Sequence, residues 1–137
     1  MDLNDLLTMA KTIFGESRGE PLEGRIAVGW VIRNRLESGR WYGGDTLVEV
    51  CMRPSQFSCW NVGDPNRDKL ESVTLDDPWY LECVYIAAGI MCGQMADPTV
   101  GATHYYAPGA VSRKPAWADG KEPCARFGGH LFFKDID

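Results

Sequence analysis

Apolar residues recur at helical spacing from the start of the chain. Leu3, Leu6, Leu7, Ala10, Ile13 and Phe14 share one stripe, which predicts an amphipathic helix over about residues 2–17. Asp2 or Asn4 can cap its start. The stretch "SRGEPLEG" then interrupts the period. Gly19 suits the left-handed residue that closes a helix, and Pro21 disfavours helical geometry at Glu20 while fitting the first turn of a new helix. A helix–turn–helix corner is expected here, with Glu16, Glu20 and Glu23 gathered around it.

The second helix runs to about Ser38, before Gly39, with Ala27, Trp30 and Val31 on its apolar stripe. Asn34 continues that stripe at i+7 from Ala27. An amide on an apolar face must find hydrogen-bond partners, so Asn34 either braces nearby backbone or points into a cleft. Further on, "TLVEVCM" predicts a short helix, "SQFSCWN" alternates like a brief strand, and "VGDPNRDKLESVTLDDP" reads as a polar surface excursion rich in turn residues. A third long helix is expected from about Pro78 to Gln94, its core stripe formed by Trp79, Cys83, Ile86, Ala87 and Ile90. The remainder divides into short β-prone pieces separated by Gly and Pro. Helices first and β pieces between and after them make an α+β fold.

Composition narrows the partners. The chain has 137 residues, 45% of them hydrophobic, which fits one domain over 1–137 with an ordinary core. Lys and Arg number 14 against 19 Asp and Glu, and the net charge of -5 argues against nucleic acid as a partner. No apolar run approaches the roughly 18 residues that would cross a bilayer. The start lacks the basic residues and small-residue cleavage site of a signal peptide, so synthesis in the cytoplasm is expected. The five cysteines form no CxxC pair, and buried free thiols are the expected state. Cys83 and Cys92 would sit on opposite faces of one helix and cannot pair with each other.

Glu16 lies about 60° around the first helix from Ile13, at the edge of the apolar stripe. A carboxyl shielded there loses hydration, which favours its protonated form and suits a general acid acting on a poor leaving group such as a glycosidic oxygen. A solvated glutamate paired with Arg18 or a lysine is the plainer alternative. Glu20 and Glu23 fit helix-start charges that complement the dipole of the second helix. Phe57, Trp60, Tyr105, Tyr106 and Trp117 stand in loop or edge contexts, where flat rings match the faces of sugar rings as well as they fill a core. His104 and His130, the two histidines, have no third ligand at metal-binding spacing, so no metal is expected. Asp64, Asn66 and Asp68 have the opening spacing of a calcium loop, but Lys69 and Leu75 stand where that loop needs Gly and Glu. A cysteine nucleophile with His130 as base is conceivable, though nothing local marks a thiolate.

Taken in order, "AKTIFGESRGEPLEGRIAVGWVIRNRL", "PSQFSCWN", "THYYAP" and "GGHLFF" resemble the catalytic domain of the bacterial spore-cortex-lytic enzymes and related cell wall hydrolases, over about residues 8–133. The resemblance implies a lysozyme-like fold in which a helical lobe and short β pieces flank a glycan groove. It implies cleavage of peptidoglycan glycan strands between N-acetylmuramic acid and N-acetylglucosamine, with Glu16 as the catalytic acid and no cofactor. Lytic transglycosylation needs this one carboxyl, since the muramic 6-hydroxyl replaces water; hydrolysis by a muramidase would add a second such as Glu20, Glu23 or Asp45. Gln56, Phe57, Tyr105, Tyr106 and His130 are implied near the groove, with Asn34 in support. A non-catalytic glycan-binding module is the alternative from another class. The chain is expected to be a monomer that reaches the wall by phage-type release or as a domain excised from an exported enzyme.

Overall fold

The computed structural model describes residues 1–54 and 56–137. Helices α1 (Leu3–Glu16), α2 (Leu22–Glu37), α3 (Leu47–Met52), α4 (Pro65–Ser72) and α5 (Pro78–Met91) come first, then strands β1 (His104–Tyr106), β2 (Ala125–Phe127) and β3 (His130–Phe133). The strands form an antiparallel sheet in the order β1-β3-β2, with Tyr105 opposite Phe132 and Phe127 opposite His130. This is the α+β arrangement that the sequence pattern predicts. No helix among the described residues is long and apolar enough to cross a membrane.

Asp2 caps α1 reciprocally with Asp5, each carboxylate accepting the other residue's backbone N–H. The stripe of α1 buries Met9, Ala10, Ile13 and Phe14 among Cys51, Leu70, Ile86 and Ile90, so α1 is the centre of the helical lobe. Helix α2 has two buried faces: Ile32 joins that lobe, while Ala27, Val28 and Val31 pack on Phe132 of the sheet. It is the element that joins lobe to sheet.

Several expectations change. The polar excursion contains α4: Asp64 accepts the Asn66 N–H at 2.8 Å, Pro65 fits the first turn, and Leu70 is fully buried against α1. One buried leucine in a polar helix is too little periodicity to read from sequence. The "SQFSCWN" segment is not a strand. Ser58–Trp60 is a 3-10 turn that seats Cys59 on α1 beside Gly15, and Ser55 lies outside the described residues. In α5, Trp79 is 58% exposed and Tyr80 takes the buried place, with its ring edge on Phe14. All five cysteines are free; Cys51, Cys59 and Cys83 are buried, but Cys92 is exposed at the end of α5.

Candidate active site

Glu16 is the last residue of α1, half-buried where the helical lobe meets the sheet. Gly15 makes its surroundings possible. A Cβ at Gly15 would stand 2.9 Å from both Cys59 Cβ and Leu70 Cδ2, so only glycine lets the 58–60 turn and α4 close on this part of α1. That closure brings the Cys59 backbone N–H to 3.1 Å from Glu16 Oε2, with the Ser58 hydroxyl at 3.5 Å. From the sheet, the Tyr105 hydroxyl donates to Glu16 Oε1 at 2.6 Å. Burial, with the Glu16 charge beside it, holds the Tyr105 phenol well above its ordinary pKa, so it remains a donor. Both carboxyl oxygens are thereby fixed in direction by donors from two different elements.

Tyr105 connects this carboxyl to the rest of the opening glutamate cluster. Its ring meets the His130 imidazole edge-on, with centroids 4.9 Å apart. His130 Nδ1 lies 3.6 Å from Glu20 Oε1, and the Gly129 N–H donates to Glu20 Oε2 at 3.1 Å. Burial lowers the His130 pKa, while the charges of Glu20 and Glu16 act in the opposite direction. Glu20 therefore does not cap α2: the N-cap is Pro21, which makes no side-chain cap bond. The carboxylate of Glu20 instead latches the corner between α1 and α2 to the turn between β2 and β3. Glu23 and Asp45 are exposed.

Beside Tyr105, at the open edge of β1, a cavity of about 270 Å³ is lined by Arg35, Trp41, Gln56, His104, Trp117 and the chain around Ile136. Arg35 is only 5% exposed; its Nε donates to the Thr103 carbonyl at 2.6 Å and its Nη1 to Gln56 Oε1 at 3.2 Å. The guanidinium lies 4.9 Å from the Phe57 ring centroid and 5.8 Å from that of Tyr42. Burial lowers its pKa, and Tyr105, Tyr42 and Glu16 offset that; an arginine stays cationic through such shifts. A second cavity, of about 190 Å³, lies between Phe14, Arg18, Arg25 and Trp79. Phe14, two residues before Glu16, projects from the opposite side of α1, and Arg18, past the helix end, lies over its ring at 5.0 Å, so that cavity is separate from this chemistry.

The residues implied by sequence divide accordingly. Glu16, Tyr105 and His130 come together, and Gln56 lines the cavity next to them. Phe57 does not face a groove: it is fully buried beneath Arg35, as an apolar ring under a cation is expected to be. Tyr106 points to the other face of the sheet, stacked on Phe133, because successive strand residues alternate. The Asn34 amide donates to Asp97 Oδ2 and to the Ala102 carbonyl, both at 2.9 Å, a brace between α2 and the approach to β1. Trp60 is also a brace, its Nε1 donating to the Thr12 hydroxyl at 2.8 Å. The thiol of Cys59 is pushed up by burial and then by Glu16, which argues against a nucleophile. Sequence reasoning missed Arg35 and Trp41. Arg35 had a signal, since it stands at i+4 from Val31 and i+7 from Val28, a cation on a buried stripe. Trp41, in a glycine-rich loop, had none.

A helical lobe meeting a small sheet at one doubly held carboxyl defines a lysozyme-like α+β domain. Comparison with known proteins makes the assignment specific: residues 19–133 match the Cell Wall Hydrolase family, and the chain belongs to that family. The matched span begins just after Glu16. The chain is 31% identical over 137 aligned positions to a spore cortex-lytic enzyme of Oceanobacillus iheyensis, covering 96% of this chain and 42% of that protein. It is 30% identical to the spore cortex-lytic enzyme of Bacillus subtilis, covering 94% and 37%. It thus spans less than half the length of these curated relatives. Among solved structures, the catalytic domain of the germination-specific lytic transglycosylase SleB from Bacillus anthracis superposes with a TM-score of 0.73 at 28% identity, over 98% of this chain and 97% of that one. The catalytic domain of the Bacillus cereus SleB protein gives 0.71 at 27% identity, over 97% and 91%.

Proposed function

We propose that residues 1–137 form a catalytic domain that cleaves the glycan strands of bacterial peptidoglycan between N-acetylmuramic acid and N-acetylglucosamine, by lytic transglycosylation. The observation that carries this reading is the Glu16 carboxyl, held by the Tyr105 hydroxyl and the Cys59 N–H at the junction of lobe and sheet. The activities named for the similar proteins agree with it. In the proposed reaction, protonated Glu16 gives its proton to the oxygen leaving the muramic C1, and that C1–O bond breaks. The muramic 6-hydroxyl then bonds to C1 and passes its proton to Glu16, which restores the acid. No water is consumed, and the product ends in an anhydro ring.

One carboxyl suffices for this route, whereas hydrolysis normally employs two. Glu20 is engaged by Gly129 and His130, and Glu23 and Asp45 are exposed, which supports the one-carboxyl reading over the muramidase alternative. After donation Glu16 is an anion, and the buried Arg35 cation is part of its electrostatic surroundings. The work is done at the wall, after the chain has left the cytoplasm. Clearing of purified peptidoglycan, with mass analysis of the released muropeptides, tests the proposal. Products one water lighter than reducing-end muropeptides support it; reducing ends would favour the muramidase. Binding without release would favour a glycan-binding module.

A further inference from the structure

The cavity of about 190 Å³ beside the corner between α1 and α2 gathers charged groups that the Glu16 chemistry does not use. Two guanidiniums, Arg18 and Arg25, one carboxylate, Asp77, and two rings, Phe14 and Trp79, line it. Arg25 is only 9% exposed. Its Nη1 pairs with Glu82 and its guanidinium lies 5.1 Å from the Trp79 ring centroid, but its Nε and Nη2 have no acceptor among the described residues. Shielded donors are costly to leave unmade, and an incoming oxygen relieves that cost. Arg18 is exposed over the Phe14 ring and forms no ion pair among the described residues, so its charge is available. Asp77 engages one oxygen: its Oδ1 accepts the Trp79 and Tyr80 N–H groups at the start of α5. Trp79 itself is 58% exposed in the first turn of that helix, a flat apolar wall beside the charges.

A bare anion fits this set poorly, because Asp77 repels it. The complementary ligand carries a carboxylate for the arginines and an ammonium for Asp77 on one carbon, as the free end of an amino acid does. We infer that this cavity binds the diamino acid of a peptidoglycan peptide stem when that residue ends in both groups, as diaminopimelate does and lysine does not. The inference rests on the peptidoglycan reading above and extends it from the glycan to the peptide. Stems hang from the muramic lactyl group, so a stem on a sugar beside Glu16 has to reach the far side of α1. The path is short and passes round the end of the helix: Glu16 is the last residue of α1, and Ser17, the next residue, already lines the cavity. An extended alanine–glutamate–diamino acid segment spans roughly 10 Å, about the diameter of a helix with its side chains. Gly19 leaves this corner open, since a Cβ there would meet nothing within 4 Å. Arg18 thereby becomes a residue that selects the chemistry of the stem.

The test titrates the full, unsubstituted chain with free stem peptides, which hold no glycosidic bond and are not consumed, and follows amide and indole NMR signals. One probe is the tripeptide of L-alanine, γ-linked D-glutamate and meso-diaminopimelate; the other ends in L-lysine. Both are capped at their N- and C-termini, so they differ only at the free end of the diamino acid. A charge-assisted hydrogen bond available to one probe alone predicts at least about tenfold tighter binding of the diaminopimelate peptide. The Gly19 amide and the Trp79 indole should shift as it binds. Arg18→Ala, at an exposed position, should bring the two affinities within about threefold of each other. Asp77→Asn keeps a helix-capping side chain but removes the charge, and should weaken both peptides about threefold. Equal affinities in the starting chain, no measurable binding of either peptide, shifts confined to residues around Glu16, an Arg18→Ala chain that keeps the preference, or an Asp77→Asn without effect would each overturn the site. Free diaminopimelate, as a further probe, separates a stem from a loose amino acid: binding about tenfold tighter than that of the tripeptide would overturn the stem as occupant. Clearing of peptidoglycan by the unsubstituted chain is measured in parallel. If the wall clears and the peptides bind alike, the stem site fails and glycan cleavage stands; if the wall is untouched, the reading beneath it fails.

Discussion

Replacing Gly128 by alanine is expected to break the latch between the glutamate corner and the sheet. Gly128 has a φ of +56°, and a Cβ there would stand 1.9 Å from Glu20 Oε2. Left-handed backbone costs a non-glycine residue about 1 kcal/mol. The Glu20 carboxylate must also withdraw, losing the Gly129 N–H at 3.1 Å and its approach to His130 at 3.6 Å; loss of such a charge-assisted contact adds about 2 kcal/mol. The sum of about 3 kcal/mol lowers Tm by on the order of 10 °C for a chain of this length. Glu20→Gln keeps the shape and one acceptor, so its cost is smaller, about 1 kcal/mol. Thermal unfolding followed by circular dichroism measures both, and wall clearing well below either Tm reads out the site. Gly128→Ala should clear more slowly even while folded, because His130 packs on the ring of Tyr105, whose hydroxyl holds Glu16. A Gly128→Ala chain that melts within about 2 °C of the original would refute the latch.

Tyr105→Phe removes the hydroxyl that donates to Glu16 at 2.6 Å but keeps the ring on His130 and Phe132. A fall in kcat of roughly 10- to 100-fold with little change in Tm is expected, and unchanged kcat in steady-state assays would count against the geometry. Leu70→Ala, at a fully buried position, should cost about 2–5 kcal/mol in denaturant titration; a smaller loss would mean that α4 contributes little to the core. His104 has a pKa of about 4 when folded, against an ordinary 6.5. The unfolded chain therefore binds the proton first as pH falls, and stability present above pH 6.5 is lost on the way down to about pH 4, by roughly 3 kcal/mol. His104→Phe should flatten that slope, and an identical slope in both chains would contradict the assignment.

The long helices were legible because α1 and α5 bury a stripe at regular spacing, and the corner because Gly19 and Pro21 punctuate it. Helix α4 was not, since one buried leucine among charges gives no period, and the 3-10 turn at Ser58–Trp60 looked like alternation. At the site, Glu16 could be located from the edge of its stripe. The chemistry around it depends on contacts between residues far apart in the chain: Cys59 reaches it because of Gly15, and Tyr105 because β1 is placed against the lobe. Glu20 reads as a helix-start charge because its partners, Gly129 and His130, come from the opposite end of the chain. Phe57 and Tyr106 read as groove residues for related reasons. A ring that underlies a buried guanidinium and a ring on the far face of a sheet look identical, as letters, to rings that line a groove.

The most direct test is the rate of peptidoglycan clearing by Glu16→Gln, compared with the unsubstituted chain at equal folded concentration. The substitution removes the transferable proton and leaves nearly the same side-chain shape between Tyr105 and Cys59. A loss of roughly a thousandfold or more, with binding to wall glycan retained, is the result expected of a general acid with no carboxyl to replace it. Clearing at an undiminished rate would show that the proton comes from another group.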